Sequence, residues 1–433
     1  MSLIYYLEFT IYSLIVQYLR KDILMNDENR YFTASSEMIE KGNYIVPTLN
    51  YEMYPDKPPF LFWLMSIFLR LTKNFSFIRL LLTFLPNLFS IYLLELISFY
   101  FGITLNLKYL LSNIIFLFIS QILMTDHIMY TCIFANIYFT LNNWYTYTII
   151  TSCIGFLIKG PIFLLNLAIY SYSFNILNYN QLYGLLGGVL WVILALTFGS
   201  KEYREHILWK QWLGRAMGKH KHNKPIYFFV PMLPIIYNFI PDNFSLYFRN
   251  SLIYIGTYTL SKSKLPHYML GAVFIYSLNT YYLFNYSWLI YILIGLGLII
   301  LPFLELKETS NFDYLDNQEF VKHGLLTIAT SWRPSIAMIV IFRLICIIYK
   351  RYFTFNKIIE ICDQYDKHQI YYQKTFYNGE INFLLKNKRK INLGEIDLIP
   401  EKSLYICFQK LNKYQEIYHN KFANNQSIYI YKN

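Results

Sequence analysis

LLLTFLPNLFSIYLLELISFYF, residues 80–101, is 22 residues long and almost wholly apolar. As a helix rising about 1.5 Å per residue it spans ~33 Å, enough to cross hydrocarbon with every backbone group bonded internally. Residues 182–198 and 268–284 read the same way. Across all 433 residues, 55% are hydrophobic, 20% aromatic and 15% charged, against roughly a quarter charged in a soluble domain, which excludes an ordinary soluble enzyme. Apolar runs fall near 3–19, 77–101, 109–124, 128–141, 145–158, 161–174, 182–198, 227–240, 245–260, 268–284, 287–303 and 335–349. The expected fold is therefore mainly α, a polytopic transmembrane bundle of about 11 to 13 helices. The first run lacks a basic leader and a small-residue cleavage site and is read as a retained helix.

Each crossing switches sides, so alternate loops share a face. One face collects loops 20–76, 125–127, 159–160, 199–226, 261–267 and 304–334; the other has short loops whose only basic residue is Lys108. Polar residues with chemical potential thus gather on one surface, which the long first loop (20–76) and the second large loop (199–226) can roof. The net charge of +12 is compatible with nucleic acid, anionic lipid or phosphate, but its placement in loops between apolar runs and in the C-terminal tail favours a membrane-bound phosphate partner over nucleic acid. The positive-inside rule alone would make the charged face cytoplasmic, although a phosphate-binding surface collects Lys and Arg too. The five cysteines show no metal-ligand spacing, and Cys132, Cys153 and Cys346 in apolar runs read as small core residues.

The first loop carries Asp27-Glu28-Asn29-Arg30-Tyr31, then Gly42-Asn43-Tyr44-Ile45-Val46-Pro47, then Tyr54-Pro55-Asp56-Lys57-Pro58-Pro59-Phe60. Further on come Met124-Thr125-Asp126, Ile158-Lys159-Gly160-Pro161, Trp209 to Arg215 followed by Lys224-Pro225, and Ser263-Lys264-Leu265-Pro266-His267-Tyr268. In this order, over residues 26–270, the patterns resemble the C-type (GT-C) membrane glycosyltransferases, especially the bacterial aminoarabinose transferase and protein mannosyltransferase-like group. The resemblance implies an enzyme of the inner membrane, multi-pass, with its active face periplasmic. Such an enzyme moves a hexosyl or pentosyl group from a polyprenyl-phosphate carrier to a lipid A, glycan or protein acceptor.

That chemistry explains the residue types. The departing lipid phosphate needs cations, and Lys57, Lys159, Arg215 and Lys264 supply them, with Tyr268 as a further contact to the carrier phosphate. Asp27 is the candidate base or acceptor-positioning carboxylate that the resemblance implies, and Asp126 its candidate catalytic companion; Glu28, Arg30, Asp56 and Trp209 are supporting residues. No Asp-x-Asp motif or Gly-rich phosphate loop is present, so no cofactor is required; a divalent metal is permitted but not indicated. Plainer readings compete: Asp27 as a solvated loop acid, Lys57 as a snorkelling lysine, Asp126 and Lys159 as interfacial charges, Arg215 and Trp209 as contacts to anionic lipid, and Tyr268 as an aromatic-belt residue. His206, His220 and His222 are irregularly spaced and read as ordinary exposed histidines.

The transmembrane domain is expected over 1–349 and a small soluble α/β domain over 350–433, with a helix at 356–365 and strands at 381–385, 404–408 and 428–431. Twelve crossings would put this domain opposite the charged face; a further crossing at 318–334 would bring it to the same face. Two other functions fit an integral membrane protein. A transporter or flippase of lipid-linked glycans should show midplane charges and repeated halves, and a noncatalytic scaffold should not depend on Asp27.

Overall fold

A computed structural model describes residues 2–21, 26–207, 224–241, 245–278, 282–300 and 317–352, with Cys362, Gln364 and five C-terminal strands. The chain opens with helix α1 (Ser2–Leu19). The first loop then folds into two further helices, α2 (Asn26–Lys41) and α3 (Phe60–Leu71). Asp27 and Glu28 in the first turn of α2 and Lys41 in its last suit the helix dipole, and Gly42, at φ 65°, lets the chain leave the helix. Between α2 and α3, β1 (Thr48–Leu49) and β2 (Glu52–Met53) form a tight hairpin whose turn residues Asn50 and Tyr51 both have positive φ, 54° and 63°. A bulky residue is costly there. Glu37 of α2 accepts hydrogen bonds from the Thr48 hydroxyl (2.7 Å) and the Tyr51 N–H (3.0 Å), which pins the turn to the helix.

Helix α4 (Phe75–Tyr100) begins at Asn74, whose side chain accepts from the Phe77 N–H at 3.0 Å. The run at 109–124 does not form one helix. It is divided between α5 (Leu107–Leu110) and α6 (Ile114–Ile119), because Asn106 and Asn113 each turn a side-chain oxygen onto following backbone N–H groups and cap new helices. Then come α7 (Thr125–Leu141), α8 (Tyr145–Lys159) and α9 (Pro161–Ser173). Asn136 stitches α7 to α8 by donating to the Thr148 carbonyl (2.8 Å) and Ser152 hydroxyl (2.7 Å).

Among the described residues, two helices, Phe75–Tyr100 and Asn180–Phe198, are long and apolar enough to cross a bilayer; Leu3–Leu19, Phe60–Leu71, Pro161–Ser173, Ile226–Ile236, Ser287–Ile300 and Pro334–Ile348 are apolar but shorter. The expected run at 227–240 is broken by Pro231 and Pro234, which lack the N–H a helix needs, and ends in β3 (Phe239–Pro241) paired antiparallel with β4 (Tyr282–Asn285). Leu3, Leu7, Leu186, Leu190, Ile193 and Leu293 all point outward. Apolar stripes of that extent are not left to water. The core beneath is aromatic, with Phe134 edge-on to both Tyr170 and Phe274 at 5.2 Å.

Helix Asn317–Ala329 lies in the stretch 318–334 of the further crossing, and it meets Ser287–Ile300 at Gly324 and Gly295, where a Cβ on either would sit 2.7 Å from the other's carbonyl oxygen. Towards the C-terminus, β5 (Gln369–Tyr372), β6 (Ile391–Leu393), β7 (Ser403–Cys407), β8 (Gln415–Lys421) and β9 (Ser427–Lys432) form one sheet in the order β6-β5-β7-β9-β8. The pairs of β5 with β6 and β7 are parallel, the others antiparallel. Two expected strands are here as β7 and β9; residues 381–385, and 356–365 apart from Cys362 and Gln364, lie outside the described residues.

Candidate active site

Because α7 and α8 form an antiparallel hairpin, the first turn of one lies beside the last turn of the other. Asp126 stands at the start of α7 and Lys159 at the end of α8, each at the helix end whose dipole favours its charge. They form a buried ion pair, each side chain 5% exposed. Gly160 adopts φ 60° and ψ −137°, a region closed to other residues, and Pro161 starts α9 immediately afterwards. The Lys-Gly-Pro sequence therefore sets the lysine at a sharp corner.

Around this pair the chain gathers residues from distant segments. The Lys159 ammonium lies 5.9 Å from the Tyr268 ring centre, and that ring packs on His267 at 4.8 Å and on Tyr258 at 5.2 Å. Lys57 and His267 both act electrostatically on Asp126. His267 lies in the turn between helices Leu246–Leu260 and Leu270–Tyr276. Burial pushes its imidazole down to about 3; Asp126 pulls the other way, while Lys159 and Lys57 add to the depression. His267 is thus neutral at physiological pH. Beneath the ring stack, Asn166 donates to the Tyr258 hydroxyl (2.7 Å) and accepts from that of Tyr254 (2.5 Å), which meets the Tyr130 hydroxyl at 2.9 Å.

Asp27, at the start of α2, is partly exposed and paired with Arg30. Glu28 is wholly buried. Its carboxylate receives two hydrogen bonds from Arg20 (2.9 and 2.8 Å), one from the Leu123 N–H (2.8 Å), and has Arg79 at 3.9 Å. Arg79 also donates to the Gln17 side chain and the Arg20 carbonyl, both at 2.7 Å, and Gln17 donates to the Gln121 carbonyl at 2.8 Å. This clamp fastens α1, α2 and α4 to the segment leading into Asp126.

The two large loops meet. Asp56 lies 3.4 Å from His206, the Ser200 N–H reaches the Met53 sulfur at 3.2 Å, and Trp191 donates to the Ile45 carbonyl at 3.0 Å. His206 is therefore a half-buried partner of the first loop, not an ordinary exposed histidine. Lys264 is buried and gives its ammonium to the carbonyls of Ser261 and, at 3.2 Å, Lys224. Trp209, Arg215, His220 and His222 lie outside the described residues. Among the described residues, no three His, Cys, Asp or Glu side chains are grouped to hold a metal ion.

Sequence reasoning singled out Asp126, Lys159, Tyr268 and Lys57, which the structure brings together here, and named Glu28 a supporting residue, but it left His267 and Glu28's partners Arg20 and Arg79 without site roles. Arg79 inside the apolar run 77–101 was the available sign, since an ionisable residue in such a run has a purpose.

No protein-family model matches the sequence. An uncharacterized protein of Aquifex aeolicus (strain VF5) is 29% identical over 350 residues, covering 69% of this chain and 80% of the relative. Two crystal structures of ArnT from Cupriavidus metallidurans, one apo and one bound to undecaprenyl phosphate, resemble the chain with a TM-score of 0.67 at 14% identity, over 98% of this chain and 97% of ArnT. From α1 to the C-terminal sheet, this chain has the fold of ArnT.

Proposed function

We propose that this protein is an integral membrane glycosyltransferase that moves a sugar from a polyprenyl phosphate to an acceptor at the periplasmic face of the inner membrane. The observation that carries the reading is the buried Asp126–Lys159 pair, coupled to Lys57, His267 and Tyr268 and set in an ArnT fold. ArnT itself has been captured with undecaprenyl phosphate. The outward apolar stripes support membrane embedding.

In the reaction the bond from the anomeric carbon to the carrier phosphate oxygen breaks, and an acceptor oxygen bonds to that carbon. The electron pair leaves with the polyprenyl phosphate, whose charge grows. Lys57 and Lys159 face that charge, Lys159 held in place by Asp126 and the Tyr268 ring. A neutral His267 beside them has an N–H to offer the departing phosphate. Asp27 takes the proton of a hydroxyl acceptor; with a phosphate acceptor, already anionic, it orients instead. Lys264, committed to two backbone carbonyls, holds the 261–267 loop, and Arg215 supplies a further phosphate contact from the second large loop.

The acceptor is a lipid, glycan or protein, with lipid A one candidate. If helix Asn317–Ala329 is a crossing, the C-terminal domain lies on the active face. Mass spectrometry of lipids and surface glycans from cells with and without the protein tests the proposal: a sugar-sized mass shift on one acceptor class supports it, and identical profiles with accumulating or mislocated lipid-linked glycan point to a flippase. Impermeant thiol labelling of single cysteines in loop 20–76, in intact spheroplasts and a cysteine-free background, tests the orientation. Reaction only after the membrane is breached would reverse it.

A further inference from the structure

A cavity with a mainly apolar wall that carries a carboxylate and an ammonium lies at the other end of the bundle. Its volume is about 430 Å³, within the range of small-molecule sites, and Tyr5, Glu95, Phe99, Thr104, Asn106 and Lys108 line it. It sits where α1 begins and α4 ends, whereas Arg20 and Arg79 of the clamp mark the opposite ends of those helices. Lys108 is the only basic residue in the short loops of that face, so its place in the same cavity as a carboxylate is notable. Glu95 is oriented by the Tyr6 hydroxyl, which donates to Oε2 at 2.6 Å.

We infer that this cavity holds the headgroup of a zwitterionic aminophospholipid, with the ammonium against Glu95 and the phosphate against Lys108. The inference rests on the membrane embedding proposed above. A headgroup carrying both charges satisfies both side chains, while a purely anionic one pairs with Lys108 and is repelled by Glu95. The surroundings favour a lipid over a soluble zwitterion. Phe99 and Leu3 are 83% and 78% exposed, and Tyr100, next to Phe99 in the chain, is exposed too, an aromatic and aliphatic margin of the kind found where helices leave hydrocarbon. Acyl chains can lie along that margin while the headgroup enters the cavity.

Native mass spectrometry of the delipidated full-length protein, titrated with phosphatidylethanolamine or phosphatidylglycerol of equal chain length, tests this. Wild type should retain one phosphatidylethanolamine about tenfold better than phosphatidylglycerol, and Glu95→Gln and Lys108→Gln should each lose about tenfold, as expected for a charge-assisted contact. Glu95→Gln keeps an acceptor for Tyr6, so the helix pair is preserved. Equal retention of the two lipids, or unchanged retention in both variants, overturns the inference. Displacement by glycerophosphoethanolamine at the lipid's own concentration overturns its lipid part. Undecaprenyl phosphate retention in the same spectra reads the proposed donor site separately, so loss of one signal without the other distinguishes the two failures.

Discussion

Asp27 keeps 32% of its side chain exposed and has Arg30 as a partner, whereas Glu28, one residue on, is wholly enclosed and holds Arg20, Arg79 and the Leu123 N–H. Successive residues of a helix point about 100° apart, so α2 turns one carboxylate towards the surface and the other into the bundle. The difference separates two uses of an acid. A carboxylate saturated by buried donors holds elements together and has no valence left for substrate. One that retains solvent contact can meet an acceptor. The Asp126–Lys159 pair stands between these limits, buried like the clamp yet coupled to Lys57 and His267.

Breaking the clamp should cost most. Glu28→Ala leaves Arg20 and Arg79 buried without their counter-charge, and removing one partner of a buried pair typically costs about 3–5 kcal/mol. Folded yield and melting temperature should fall sharply, and any transfer activity with them. A Glu28→Ala protein that melts like wild type but has lost turnover would make Glu28 a substrate contact and erase the contrast with Asp27.

Lys159→Ala should come next. It strands a buried carboxylate and removes a cation proposed for the leaving group, so both stability and turnover should fall; Asp126→Asn together with Lys159→Ala should restore the melting temperature but not the activity. Recovery of both would reduce the pair to a structural role.

The His267 imidazole gives a pH signature. Its pKa in the fold, about 3, lies below the ordinary value of about 6.5. Above pH 6.5 it is neutral in both folded and unfolded chains and contributes no pH dependence. As pH falls from 6.5 towards 3 the unfolded chain takes up a proton that the fold refuses, so stability declines by at most about 1.4 kcal/mol per pH unit. Melting curves of wild type and His267→Gln between pH 4 and 7 should diverge in that direction, the variant being flatter. Parallel curves would mean that the imidazole is not held neutral.

Lys57→Arg should have the smallest effect. It keeps the charge but replaces a compact ammonium by a planar fork, so turnover should drop several-fold with a fitted phosphate and stay unchanged at a merely interfacial lysine. Steady-state kinetics with a defined donor separates these.

Much of this was legible beforehand. Charged residues at the ends of the apolar runs 128–141 and 145–158 gave Asp126 and Lys159 the same face, and an antiparallel hairpin then brings them into contact. The breaks in the runs were less legible, since an Asn such as Asn113 reads as a tolerated polar residue until its side chain is seen capping a new helix. The resemblance gave Asp27 and Glu28 different roles, but what Glu28 supports was not legible, because its partners come from the end of α1, from α4 and from the segment before α7. The neutral His267 likewise depends first on burial among segments distant in the chain, with Lys159 and Lys57 adding to the effect.

The most direct test follows transfer from a defined polyprenyl-phosphate sugar by the purified protein, comparing wild type with Asp27→Asn and Lys57→Ala and recording melting alongside. Both variants should melt like wild type and lose transfer by about 100-fold or more, the ~2.7 kcal/mol of a deleted transition-state contact. Near-normal turnover in both, with a donor that the wild type consumes, would contradict the account.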